Sequence, residues 1–173
     1  MPADIFPMLT KAIFFDRDGT LNVEKNFLID PRDFEWIPGA IESIRFCNEN
    51  DFLAIVVTNQ SGIARGYFTE SDVENLHQWM NSELKKFNAR IDDFFYCPHH
   101  PNANVEKYRV DCDCRKPKSG LIDRAVEKYQ IDRKASLLIG DADRDVESAN
   151  RAGIRGIKFS GGNLFETLKK AMR

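Results

Sequence analysis

A doubly wound α/β domain built on a parallel sheet is the fold this chain predicts, and three observations carry it. Apolar runs of strand length recur along the sequence, helical patterns stand between them, and the runs are nearly continuous rather than alternating. Unbroken apolar strands are covered on both faces, the condition of a parallel sheet whose crossovers are helices. At 173 residues the chain has the length of one domain, so a single unit spanning 1–173 is expected.

The first run, 12–15, reads as a buried strand ending at Asp16, and the acidic, proline-containing stretch 21–39 separates it from a helical pattern over 40–49. The second strand, 52–57, runs out into Thr58-Asn59-Gln60-Ser61-Gly62. A helix over 70–87 comes next, opened by Thr69 and Asp72 at capping-box spacing. Residues 94–96 form a third strand, and the long segment 98–118 leads to a helix over 121–129 that Ser119 is placed to cap. Strands at 137–139 and 154–159 flank a helix over 144–152, which Gly153 follows. Gly161-Gly162 marks a turn, after which Asn163 caps a short helix carrying Leu164, Phe165 and Leu168. Within the helices, Cys47 reads as core, and His77 and Trp79 read as surface or packing residues rather than ligands.

Hydrophobic residues make up 42% of the chain and charged residues 30%, the balance of a folded protein rather than a disordered one. The formal net charge is -2 with Lys and Arg dispersed, so no nucleic-acid partner is expected. The longest apolar run, 52–57, is far shorter than the roughly 20 residues of a membrane span, and no membrane association is expected. The first eight residues lack the basic segment, apolar stretch and cleavage site of a secretory leader, so a cytoplasmic location is expected, with the protein a monomer. In a reducing compartment the four cysteines serve as thiols or metal ligands more readily than as disulfide partners.

In a doubly wound sheet, ligands bind beyond the carboxyl ends of the strands, so the polar residues there are the candidates for chemistry. Asp16, Asp18 and Asp141 meet only if their strands are neighbours, and together they would bind Mg²⁺, which prefers oxygen ligands and keeps waters and phosphate in its shell. Asp16 is placed to attack phosphorus as a carboxylate, and Asp18 to protonate the leaving oxygen and then activate water. Thr58 and the amides that follow it can hold phosphoryl oxygens, Lys116 adds a positive charge, and the planar fork of Arg115 can grip a substrate phosphate or hydroxyl. Singly these are ordinary features: Asp18-Gly19 is a common turn, Thr58-Asn59 a strand end, Asp141 a helix cap. Their joint placement at strand ends and on long loops is what favours catalysis.

Cys97-x-His99 and Cys112-x-Cys114 form two close pairs of soft donors, the pattern of a tetrahedral Cys₃His zinc site, with His100 as a substitute for His99. Zinc would stiffen the loop that presents Arg115 and Lys116. A buried thiol cluster or a disulfide are the alternatives.

Asp16-Arg17-Asp18-Gly19-Thr20, Thr58, Lys116 and Gly140-Asp141-x-x-x-Asp145 resemble the four motifs of the haloacid dehalogenase (HAD) superfamily, over almost the whole chain. The resemblance implies a HAD-like Rossmannoid fold with no separate cap domain and a zinc-bound loop. It implies Asp16 as nucleophile, Asp18 as acid/base, and Thr58 and Lys116 as phosphoryl stabilisers. It also implies Mg²⁺ on the Asp16 side chain, the Asp18 carbonyl and Asp141, with Asp145 supporting the metal shell or Lys116. The zinc loop is similar to that of the subgroup acting on sugar bisphosphates and histidinol phosphate. The substrate implied is a small phosphorylated sugar, a heptose 1,7-bisphosphate losing its 7-phosphate in surface-polysaccharide precursor synthesis, with histidinol phosphate the alternative. With no cap, specificity would rest on Glu24, Lys25, Asn26 and Phe27, on Asn59, Gln60 and Ser61, and on Arg115. Ala142 and Asn26-Phe27 depart from the family's usual residues and bear on substrate preference. A non-catalytic, zinc-stabilised binding protein is a third reading, opposed by the intact Asp16 and Asp18.

Overall fold

The computed structural model describes residues 8–173, so the stretch on which the expectation about a secretory leader rests lies almost wholly outside the described residues. Five strands, β1 (Lys11–Phe15), β2 (Phe52–Asn59), β3 (Asp93–Cys97), β4 (Leu137–Gly140) and β5 (Arg155–Lys158), form one parallel sheet in the order β3-β2-β1-β4-β5. Six helices accompany them: α1 (Ala40–Glu49), α2 (Gly62–Arg65), α3 (Glu70–Lys85), α4 (Gly120–Tyr129), α5 (Asp143–Arg151) and α6 (Leu164–Ala171). Among the described residues, the connections hold only these helices, two single-turn 3-10 segments and loops, with no cap-sized insertion.

The side-chain alternation of the central strand divides the core into two layers. Ile13 and Phe15 join Ala54, Val56 and Ile139 under α1, α3 and α6, where Ile44, Met80, Leu84, Leu164 and Leu168 are buried. Ala12 and Phe14 join Ile55, Val57 and Leu138 under α4 and α5, against Leu121, Ile122, Ala125 and Ala149. Successive β residues point to opposite faces, so a strand packed on both sides must be apolar at every position. Burying each such side chain contributes about 1.5–3 kcal/mol, which makes β1 a rigid floor for the polar residues beyond its carboxyl end.

Helix ends agree with the sequence at Thr69, whose side chain and that of Asp72 form a reciprocal capping box, and at Asn163, which accepts from Glu166 N. Gly153 takes φ +70 just past α5, a conformation that a side chain disfavours. Ser119 does not cap α4: its backbone is already helical, and its hydroxyl donates to Asp123 Oδ2 at 2.7 Å instead. β2 extends two residues beyond its apolar run to include Thr58 and Asn59, and β5, at the sheet edge, exposes both of its ends.

The order of the strands decides where the site lies. The chain runs outward from β1 through β2 to β3, then returns to place β4 on the other side of β1, making β1/β4 the topological switch point. Asp16 N donates to Ile139 O at 3.1 Å, stitching the first residue beyond β1 onto β4. A cleft of about 760 Å³, lined by Thr10, Phe52, Leu53 and Asp92 among others, opens at the opposite, amino ends of the strands and carries none of these candidates. None of the described helices is long and apolar enough to cross a membrane.

Candidate active site

Asp16, at the mouth of the switch point, is only 4% exposed, and its Oδ1 accepts from Lys116 Nζ at 2.7 Å. Lys116 arrives from the loop before α4 and is itself buried; its ammonium also donates to Val57 O at 2.8 Å and pairs with Asp145 Oδ1 at 2.7 Å. That ion pair is the one contact of Asp145 Oδ1, while Oδ2 accepts from Ala142 N at 3.0 Å and holds the start of α5. Asp145 thus pairs with Lys116, and a carboxylate oxygen of it also lies within 4.8 Å of Asp16 and Asp141, so the geometry is compatible with both roles implied for it. Asp141 accepts from Thr20 Oγ1 at 3.3 Å and lies over Gly19, where an added Cβ would stand 2.4 Å from Asp141 Oδ2. Gly19 is required twice over, because its φ of +87 also lies where side chains strain.

Asp18 is held more tightly. Arg17 Nε and Nη2 reach its two oxygens at 3.0–3.2 Å, Asn22 Nδ2 donates to Oδ1 at 3.0 Å, and Gln60 Nε2 donates to Oδ2 at 2.9 Å. Gln60 also donates to Thr58 Oγ1 at 2.9 Å, joining the first and second motifs. Asn59, one residue earlier, brackets the backbone of Lys116: it accepts from Lys116 N at 3.0 Å and donates to Lys116 O at 3.1 Å. The amides of Asn59 and Gln60 are thus engaged inside the protein, while Ser61 caps nothing with its side chain. Arg115 is half-buried, its Nη1 donating to His99 O at 3.4 Å. Glu24, Lys25, Asn26 and Phe27 form an exposed tip in which Asn26 and Phe27 have φ of 49 and 61. The Phe27 ring meets Tyr67 edge-on at 4.9 Å with the Arg65 guanidinium 5.5 Å away.

Donor atoms of Cys97, His99, Cys112 and Cys114 lie within 4.8 Å of one another. A tetrahedral zinc with Zn–S bonds of about 2.3 Å has S···S edges of about 3.8 Å. Cys97 and Cys112 Sγ are 3.6 Å apart, and His99 Nδ1 is 3.7 Å from Cys97 and 3.4 Å from Cys114. A disulfide needs about 2.05 Å, so the thiols are free. His100 stands outside the cluster, its Nδ1 accepting from Asn102 N at 3.1 Å. The Cys114 thiol is drawn down to about 5, first by its hydrogen bond with Cys97 and then, against burial, by those with Cys112 and His99, which favours one thiolate in the group.

Comparison with known proteins places this arrangement. The D-glycero-beta-D-manno-heptose-1,7-bisphosphate 7-phosphatase of Rhodopseudomonas palustris is 40% identical over 161 residues, covering 93% of this chain and 89% of that protein. The chain belongs to the HAD superfamily of phosphatases. A family model described as HAD-hydrolase-like matches residues 113–170 of this HAD phosphatase. The enzyme of the same name from Escherichia coli K12 is 44% identical over 143 residues, with 83% and 75% of the two chains covered. The crystal structure of D,D-heptose 1,7-bisphosphate phosphatase from B. bronchiseptica, complexed with magnesium and phosphate, superposes with a TM-score of 0.79 at 30% identity, covering 93% of this chain and 87% of that one.

HAD phosphatases use Mg²⁺, and the donor set of this one fits it. Four carboxylates, Asp16, Asp18, Asp141 and Asp145, face two buried cations, Arg17 and Lys116, which leaves two negative charges for a divalent ion to balance. Burial pushes the Asp16 carboxyl up to about 7; Lys116 opposes this, and Asp145 and Asp18 add to it by repulsion. Burial also works against the charge of Lys116, but Asp16 and Asp145 outweigh it and hold the ammonium above its ordinary range. For Asp18 the balance runs the other way: burial is outweighed by the Arg17 charge and by hydrogen bonds from Asn22, Arg17 and Gln60, keeping it below the usual carboxylate range. Sequence reasoning gave Arg17 and Asn22 no role, although both are buried, and read His77 as surface or packing, although it is 4% exposed and lies 3.3 Å from Arg17 Nη1. The apolar face of α3 carried the signal for His77, since Val73, Leu76, Met80 and Leu84 share its side of the helix.

Proposed function

We propose that this phosphatase removes the 7-phosphate of D-glycero-D-manno-heptose 1,7-bisphosphate through an aspartyl-phosphate intermediate. The observation that carries the reading is the buried Asp16 carboxylate at the switch point, paired with Lys116 and set beside Asp141. The names of its relatives supply the substrate. Asp16 attacks phosphorus, the bond to the 7-oxygen breaks, and Asp18, which enters the step carrying a proton against the pull of Arg17, Asn22 and Gln60, delivers it to that oxygen. Asp18 then takes a proton from the water that hydrolyses the aspartyl-phosphate. Thr58 and Lys116 hold the phosphoryl oxygens throughout. The Asp16 side chain, the Asp18 carbonyl and Asp141 would hold Mg²⁺, which when bound would offset the repulsion between nucleophile and phosphate. Glu24 to Phe27, Ser61 and Arg115 line the approach for the sugar. The protein acts in this reading as a single-domain cytoplasmic monomer, in surface-polysaccharide precursor synthesis.

Steady-state rates on heptose 1,7-bisphosphate, fructose 1,6-bisphosphate and histidinol phosphate test the assignment. The heptose ester is expected to have the highest kcat/KM, and histidinol phosphate as the best substrate would overturn the heptose reading while leaving the phosphatase reading intact. In the same panel, Arg115→Ala is expected to lower kcat/KM for the bisphosphate roughly ten- to a hundredfold, since a lost charge-assisted contact costs about 1.5–3 kcal/mol. A generic aryl phosphate, with no remote oxygens to grip, should lose less.

We also propose that Cys97, His99, Cys112 and Cys114 hold a structural zinc. Arg115 N donates to Cys112 Sγ at 3.3 Å, so the cluster and the cation-bearing loop are joined directly. Elemental analysis of protein purified without chelator should give about one zinc per chain, and Cys112→Ser should lower the melting temperature and activity together. A zinc-free sample of full activity would remove the site.

A further inference from the structure

Behind the acid/base carboxylate lies a charged network to which the catalytic steps assign no role. Arg17 is fully buried, with its Nε–Nη2 edge turned to Asp18 and its Nη2 also reaching Gln60 Oε1 and Leu28 O, each at 3.2 Å. Its other amino group, Nη1, lies 3.3 Å from His77 Nε2. A guanidinium can only donate, so His77 Nε2 must accept, which fixes the tautomer with its proton on Nδ1. The ring is held in that pose by Phe94 of β3, stacked at 4.3 Å with an interplanar angle of 11°, while Tyr96 closes its edge at 6.1 Å. Burial, and after it the Arg17 charge, keep this imidazole neutral.

We infer that His77 is a positioning residue for general-acid catalysis: a neutral acceptor on α3 that sets the rotation of Arg17 and so the orientation of the Asp18 carboxylate. The inference rests on the reading of Asp18 as acid/base. A buried cation redirects its donors when one acceptor is lost, because an unpaired buried N–H is costly. Without His77, the guanidinium is left with Asp18, Gln60 and Leu28 O, and it draws the carboxylate toward itself. Small misplacements of a reacting group cost large factors in rate.

Dependence on the leaving group separates this role from a merely structural one. An alkoxide leaving a sugar phosphate needs a proton from Asp18, whereas p-nitrophenolate is stable as an anion and leaves unaided. His77→Leu is expected to slow first-turnover release of the leaving group from heptose 1,7-bisphosphate about tenfold while changing that from p-nitrophenyl phosphate less than about twofold, both read by rapid quench, because hydrolysis of the aspartyl-phosphate is common to the two. The ratio of the two rates is independent of how much of the variant is folded. His77→Gln, whose amide oxygen can accept from Arg17, should recover most of the ratio. Asp18→Asn is the control and should show the same selective loss in first-turnover leaving-group release, more strongly. If Asp18→Asn is selective and His77→Leu lowers both rates alike, or His77→Gln behaves as His77→Leu, His77 has no part in positioning. If Asp18→Asn itself is unselective in first-turnover leaving-group release, the reading of Asp18 as the acid falls and the His77 assignment with it.

Discussion

Asp16→Asn is expected to reduce turnover by a factor on the order of a thousand or more on every phosphate ester, with the fold retained. An amide oxygen is too weak a nucleophile to form the acyl phosphate, whatever the leaving group. The fold should survive because Asn is nearly the same size as Asp, and Lys116 keeps Asp145 and Val57 O as partners. Asn also removes a carboxyl whose charged form is disfavoured by burial, so the melting temperature should not fall. Rates measured beside circular dichroism decide it. A soluble, folded variant with near-normal activity would take the nucleophile's role from Asp16.

Lys116→Met is expected to abolish activity as well, with the opposite effect on stability. The ammonium sits between Asp16 and Asp145, both buried, and removing it leaves two like charges without a counterion. Breaking a buried pair by deleting one partner costs about 3–5 kcal/mol, a large part of the roughly 5–15 kcal/mol that holds a domain folded. Urea unfolding in the presence of chelator should show the midpoint drop, and adding Asp145→Asn should restore part of the stability with none of the activity. A Lys116→Met variant as stable as the parent would mean that the two carboxylates do not depend on the lysine for their burial.

The fold was legible wherever packing alone dictates sequence. β1 is apolar from Ala12 to Phe15 because both of its faces are covered there, and the apolar run came within one residue of the observed strand, which adds the half-buried Lys11. The pattern failed at the end of β2, where Thr58 and Asn59 continue the strand in order to reach Gln60, Asp18 and the Lys116 backbone, because hydropathy reads polar strand residues as loop. It missed α2, whose four residues are too few to show a period. In the site, Asp16, Asp141 and Lys116 could be found from their place at strand ends and on a long loop. Arg17 could not, because a basic residue between two acids reads as solvated surface, and only the three-dimensional enclosure by Leu28, Gln60 and His77 shows it buried.

The two hydrogen bonds between the Asn59 side chain and the backbone of Lys116 tie the lysine to the sheet from the strand side. The position of the lysine over β2 is therefore fixed at both ends, by the Asn59 amide at its backbone and by Val57 O at its ammonium. The segment from His99 to Cys112 is anchored separately, Val105 N donating to Ala64 O at 2.9 Å and the Tyr108 hydroxyl to Glu70 Oε1 at 2.6 Å. A change of length there must keep both anchors if the approach to the site is to stay in place.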